Sequence, residues 1–185
     1  DLIVVIYSCG NVDNRERGKQ YGSGEDDEVS AITVGSDVSF YLAGYTLGNI
    51  YLDWVPADEP NAKPGIGTWD GYVMRLDSQL NWVWSVMVGT RHQDYIYGLT
   101  FLAGDNPEVD GDLLLSGSTF TFWPEADAEP APGTPPSTDG GLGLLGHEDA
   151  FLMTITPDGR FGGWQKQLRS QGDERLLAVA GEASG

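Results

Sequence analysis

Positive charge is scarce in this chain. Lys and Arg number 10 against 28 Asp and Glu in 185 residues, a formal charge of −18. Such acidity argues against nucleic acid as a partner, because phosphate binding depends on Lys and Arg displacing counterions. It argues equally against a polybasic membrane contact. No apolar run approaches the roughly 20 residues of a membrane helix, so no span is expected in this segment. There is one cysteine, Cys9, so no intrachain disulfide framework exists. Its two readings are a small buried hydrophobe and a bond to another chain. His92 and His147 are the only histidines, and neither has a Cys or second His at zinc-ligand spacing. No Gly-x-Ser-x-Gly elbow is present, and there is no Asn-x-Ser/Thr sequon. Helical periodicity with caps is also missing, so little helix is expected. The chain opens on Asp1 with no visible signal peptide, which suits a mature secreted form or a portion of a longer polypeptide.

What is present is glycine, 26 residues, and enough apolar sequence, 40%, to build a core. Three elements recur in the same order. An Asp-led strand appears at Asp1, Asp70 and Asp149, within DLIVVIYS, DGYVMRLD and DAFLMTIT. A Gly/Ser-Asp element recurs with Asp27, Asp94 and Asp173 in matching places. YLAGYTL (41–47) matches LLSGSTF (114–120), aligning Gly44 with Gly117. Each unit reads as four short strands rich in β-branched and aromatic residues. Thr156-Pro157-Asp158-Gly159 is a hairpin turn in which Pro presets φ and Gly supplies positive φ.

Tandem four-stranded antiparallel units predict an all-β fold of β-propeller blades. The units run over 1–69, 70–148 and a partial 149–185, about two and a half blades. That is an incomplete propeller whose open edges call for further blades or further chains. Two long inter-blade insertions, 47–69 and 122–148, hold eight of the ten prolines and cannot be sheet interior. Trp54, Trp69 and Trp123, in or beside these loops, are candidate interaction anchors. Residues 131–138 (APGTPPST) also suit O-glycosylation by composition.

The repeated motifs resemble the SBBP β-propeller repeat. The matching residues are Asp149 to Ile155, Asp70 to Asp77 followed by Trp84, Asp94 with Tyr95 to Thr100, and Leu115-Ser116-Gly117-Ser118-Thr119. The chain departs from that pattern at Leu80, where the turn usually has Gly, and at Arg17, where Trp is expected. The resemblance implies a propeller on a large secreted or surface protein and carries no catalytic residue.

The six recurring aspartates, Asp1, Asp70, Asp149, Asp27, Asp94 and Asp173, are read as structural, each accepting backbone N–H groups at a strand start. Asn106, Glu108, Asp110 and Asp112 form a candidate calcium loop, which lacks the bidentate Glu expected where Gly117 stands. No other cofactor is expected. Glu25-Asp26-Asp27-Glu28 reads as a solvated turn. The functional expectation is a non-catalytic structural or interaction module at the cell surface or outside the cell. Its partners would be other blades of the same polypeptide or copies of it. A carbohydrate-binding propeller and a glycosidase-type propeller are the alternatives.

Overall fold

Along Asp70–Leu76 the side chains of Tyr72, Met74 and Leu76 are buried in one apolar cluster and Val73 in another. Successive strand residues point to opposite faces, so such a strand must lie inside a sheet covered on both sides. The computed structural model describes residues 1–8, 11–48, 68–90, 92–102, 111–120, 148–168 and 170–181, and bears this out. All its regular elements are strands: β1 (Leu2–Ser8), β2 (Asn11–Tyr21), β3 (Asp27–Val34), β4 (Phe40–Thr46), β5 (Asp70–Leu76), β6 (Trp82–Val88), β7 (Asp94–Phe101), β8 (Leu113–Thr119), β9 (Asp149–Ile155) and β10 (Phe161–Leu168). Among the described residues no helix is long and apolar enough to cross a membrane.

Among the described residues the strands form three antiparallel sheets. β1 and β2 make a two-stranded ribbon, β3-β4-β5-β6 a four-stranded sheet, and β7-β8-β9-β10 a second one. The two four-stranded sheets are paired alike. Asp27 opposes Thr46 and Val29 opposes Gly44 before a bulge, after which Ala31 opposes Ala43. In the second sheet Asp94 opposes Thr119 and Ile96 opposes Gly117 before a bulge, after which Gly98 opposes Ser116. The next ladder matches too, with Thr46 against Asp70 and Thr119 against Asp149.

The sheets are out of phase with the sequence units. Each takes the third and fourth strands of one unit and the first and second of the next. β5 and β9 are apolar on both faces and occupy interior positions, with the preceding β4 and β8 on one edge and the following β6 and β10 on the other.

The layers stack. Tyr41, Ala43, Val73, Trp84, Val86 and Val88 of the first sheet pack against Ile96, Leu99, Leu113, Leu115, Phe151, Met153 and Ile155 of the second. On its other face the first sheet buries Leu42, Tyr72, Met74, Leu76, Leu80 and Met87 against Leu2, Val4 and Tyr21 of the ribbon. β7 lies across β3, β4 and β5. The turn after β9 joins the layers: the Trp84 indole N–H donates to Pro157 O at 2.9 Å, and Gly159 (φ 82°) brings its backbone against the same indole.

One expectation is corrected. The alignment of Asp173 with Asp27 and Asp94 predicts a third copy of the third strand over 170–180, but 173–181 are in no ladder among the described residues. They cross the second sheet, with Leu176 N–H directed at Gly117 O (3.5 Å) and Gly181 N–H donating to Thr100 Oγ1 (3.3 Å). A strand needs a partner to close its hydrogen bonds, and among the described residues none flanks this segment.

Candidate functional site

The recurring acids meet at one end of the sheets. The registers place Asp27, Thr46 and Asp70 in one row across β3, β4 and β5, and Asp94, Thr119 and Asp149 in another across β7, β8 and β9. Asp70, Asp94 and Asp149 are buried, and so is the Asp27 carboxylate. A hydroxyl residue four positions earlier ties off the starts of β3 and β7. Ser23 donates its N–H to Asp27 at 2.7 Å and its hydroxyl at 2.9 Å. Thr90 does the same to Asp94 Oδ2 at 2.6 and 2.9 Å. At the third turn Ser170 donates its N–H (2.9 Å) and its hydroxyl to Glu174. The third acid of this set is therefore Glu174 rather than Asp173, which is exposed beside it. Asp27, Asp94 and Glu174 each stand four positions after the donor residue, so Glu174 and not the neighbouring Asp173 holds the equivalent place. The matching backbone bonds agree, since Asp94 N–H donates to Trp69 O and Glu174 N–H to Glu148 O, both at 2.8 Å.

Burial dominates the electrostatics of this row. It pushes the Asp94 carboxyl up to about 7, against the pull of hydrogen bonds from Thr119 and Thr90 and with a further push from the Asp70 charge. Asp1 accepts from Gln20 Nε2 at 2.7 Å, and Asp149 from Gln167 Nε2 at 3.2 Å.

Above this row lies an aromatic cluster. Tyr45 meets Tyr95 edge to face at 4.9 Å and Trp69 at 5.6 Å. Tyr95 stacks on Tyr97 at 6.1 Å and meets Phe120 at 6.2 Å. All five rings are half-buried. Four of them adjoin a residue of the row: Tyr45 precedes Thr46, Trp69 precedes Asp70, Tyr95 follows Asp94 and Phe120 follows Thr119. Alternation turns these side chains away from the core. Polar groups frame the rings. The Tyr45 hydroxyl donates to Glu28 Oε2 at 2.6 Å, a bond that, with burial, pushes the phenol up to about 12. Glu148, 1% exposed, accepts from Ser118 Oγ at 2.6 Å and from Arg175 Nε at 2.7 and 2.8 Å.

Of the anchors expected from sequence, Trp69 joins this cluster, while Trp54 and Trp123 lie outside the described residues. So do Cys9, His147 and three of the four calcium candidates, Asn106, Glu108 and Asp110. The fourth, Asp112, is buried at the start of β8, its carboxyl pushed up by burial and by the charge of Asp158. Among the described residues no three His, Cys, Asp or Glu are grouped to hold a metal ion. Sequence reading missed the Glu148–Arg175 pair and the tyrosines. A clue was available in the aromatic residues flanking Thr46, Asp70, Asp94 and Thr119.

No family model matches the chain, and no curated protein matches it.

Proposed function

We propose that this chain is a non-catalytic structural or interaction segment, built of SBBP-like propeller blades, in a larger extracellular or surface-assembled protein. The observation that carries this reading is the matched register of β3-β4-β5 and β7-β8-β9 in two stacked sheets, with a bulge at the same place in the first pair of each, and β7 of the second laid across the first. Residues 173–181 begin the same relation again, crossing the second sheet after an equivalent turn. A chain that adds like layers is suited to building a scaffold. Asp27 and Asp94 Oδ2 accept from turn hydroxyls and backbone N–H groups, which supports a structural role for these acids, although Asp94 Oδ1 is buried with no hydrogen-bond partner among the described residues.

A second reading, a carbohydrate-binding propeller, is favoured by the half-buried Tyr45, Trp69, Tyr95, Tyr97 and Phe120 framed by Glu28, Glu148 and Arg175. Aromatic faces with polar handles suit sugar rings as well as protein surfaces. Glycan-array binding and hydrolysis of chromogenic glycosides by the purified protein, with electron microscopy of its assemblies, test these readings. The expected result is silence in both assays and particles with sheets arranged about a common axis. Glycan binding lost on Trp69→Ala would establish the second reading. Glycoside hydrolysis would overturn the non-catalytic one.

A further inference from the structure

The two faces of matched sheets are not equally covered. In β7, Ile96 and Leu99 are 0% and 7% exposed against the first sheet. Their register counterparts in β3, Val29 and Ile32, are 43% and 55% exposed, and Val34, the counterpart of Phe101, is 51% exposed. The ribbon explains the difference. Its Leu2, Val4 and Tyr21 cover apolar residues of β4, β5 and β6, and no residue of β3 belongs to that cluster.

That edge is itself distinctive. β5 pairs with β4 and β6, and β9 with β8 and β10, but among the described residues β1 pairs with β2 alone. The unit alignment of Asp1 with Asp70 and Asp149 makes Ile3 the counterpart of Tyr72 and Phe151. Both aromatics lie over a glycine of the adjoining strand: a Cβ on Gly44 would fall 3.1 Å from the Tyr72 hydroxyl, and one on Gly117 would fall 2.6 Å from Phe151 Cζ. Among the described residues Ile3 has no such strand beside it, and it is 73% exposed. The edge of β1, unpaired among the described residues, the exposed Ile3 and the apolar face of β3 bound one step-shaped surface.

We infer that this step binds a β-hairpin of the β3–β4 kind, added antiparallel to the edge of β1. The geometry of the sheet–sheet interface within the chain identifies the occupant. There, Ala31, Tyr41 and Ala43 of the β3–β4 hairpin cover Ile96, Leu99 and Phe101, with Tyr41 stacked on Phe101 at 6.2 Å. Ser30, at the bulge, donates its hydroxyl to Ile96 O at 2.5 Å. A like hairpin beside β1 sets its small residues and tyrosine over Val29, Ile32 and Val34. It directs its bulge serine at the backbone of Val29, lays its glycine under Ile3, and brings its terminal threonine to Asp1. Strand addition supplies the affinity through main-chain hydrogen bonds, and the alternate side chains supply the selectivity. An exposed edge flanked by apolar residues is otherwise a liability.

This inference deepens the interaction-module reading and rests on it for the class of partner. A labelled synthetic peptide of residues 27–46 (DEVSAITVGSDVSFYLAGYT) is titrated into the intact protein by fluorescence anisotropy, with hydrogen exchange followed on the complex. Expected are saturable binding, protection of the β1 amides facing away from β2, and weakening of about tenfold or more in Ile3→Asp and Ile32→Asp. Both side chains are exposed, so the variants should melt like the parent. No binding, equal binding of a scrambled peptide, insensitivity to both substitutions, or protection at β5 instead of β1 would each overturn the inference. A negative peptide result with silent glycoside assays sinks only this surface. Hydrolysis sinks the module reading whatever the peptide does.

Discussion

Two residues carry strain that their counterparts avoid. Val38 (φ 63°) and Leu80 (φ 61°) occupy the left-handed region, where the matching turns of the second sheet have Gly111 (φ 85°) and Gly159 (φ 82°). An L side chain pays about 1–2 kcal/mol there. Val38 is 58% exposed, so Val38→Gly should stabilise the fold by about 0.5–1 kcal/mol, after allowing for the looser unfolded chain. Leu80 is fully buried in the ribbon-side cluster. Leu80→Gly should therefore destabilise by about 2–3 kcal/mol, since the lost packing outweighs the relieved strain. Urea titrations of the two variants check both signs. Asp94 titrates in the opposite sense to an ordinary paired carboxylate. Its folded value near 7 lies above the unfolded one, so the folded state holds the proton over that interval. Its contribution is thus favourable at low pH and is lost as pH rises through about 4 to 7. Asp94→Asn keeps an acceptor for Thr90 and removes the buried charge. It should raise the melting temperature at about pH 8 and leave it nearly unchanged at about pH 4, flattening the profile; a parallel shift at both pH values would refute the assignment.

Elements are held in place by turns as much as by cores. The Thr156–Arg160 turn closes with Thr156 N–H to Arg160 O at 2.8 Å and Gly159 N–H to Thr156 O at 2.9 Å. Its glycine is needed twice, for its positive φ and because a Cβ would sit 3.0 Å from Trp84 Cδ2. Gly159→Ala should cost about 2 kcal/mol, read as a drop in the denaturation midpoint without a change of slope. The segment 173–181 depends instead on Glu174 with Ser170 and on Arg175 with the buried Glu148. Arg175→Ala should release it, seen as faster amide exchange from 173 to 181 with β7 and β8 still protected.

Across the whole molecule, the ribbon and both sheets share the first sheet as their common layer. Trp84, 3% exposed, packs between the sheets and also bonds the turn of the second. Trp84→Ala should cost about 3–5 kcal/mol and lower one cooperative transition seen alike by tryptophan fluorescence and far-ultraviolet dichroism. Two separated transitions would show that the sheets unfold independently.

Strand existence and turn position were legible in the residues. Thr156-Pro157-Asp158-Gly159 announces its turn, β-branched runs announce the strands, and the Asp27 to Asp94 and Asp70 to Asp149 spacings mark the places at which the registers match. These are local properties, set by backbone preference and period-two alternation, and they need no distant partner. Only the tertiary structure decided the phase in which strands group into sheets, the substitution of Glu174 for Asp173 at the third turn, and the absence of a ladder at 173–181. It alone gathered Tyr45, Trp69, Tyr95, Tyr97 and Phe120 into one cluster, paired Arg175 with Glu148, and left Ile3, Val29 and Ile32 uncovered. Those outcomes depend on which surfaces meet across tens of residues of chain, and side chains with identical local patterns, such as Val29 and Ile96, are buried or exposed according to the layer placed against them.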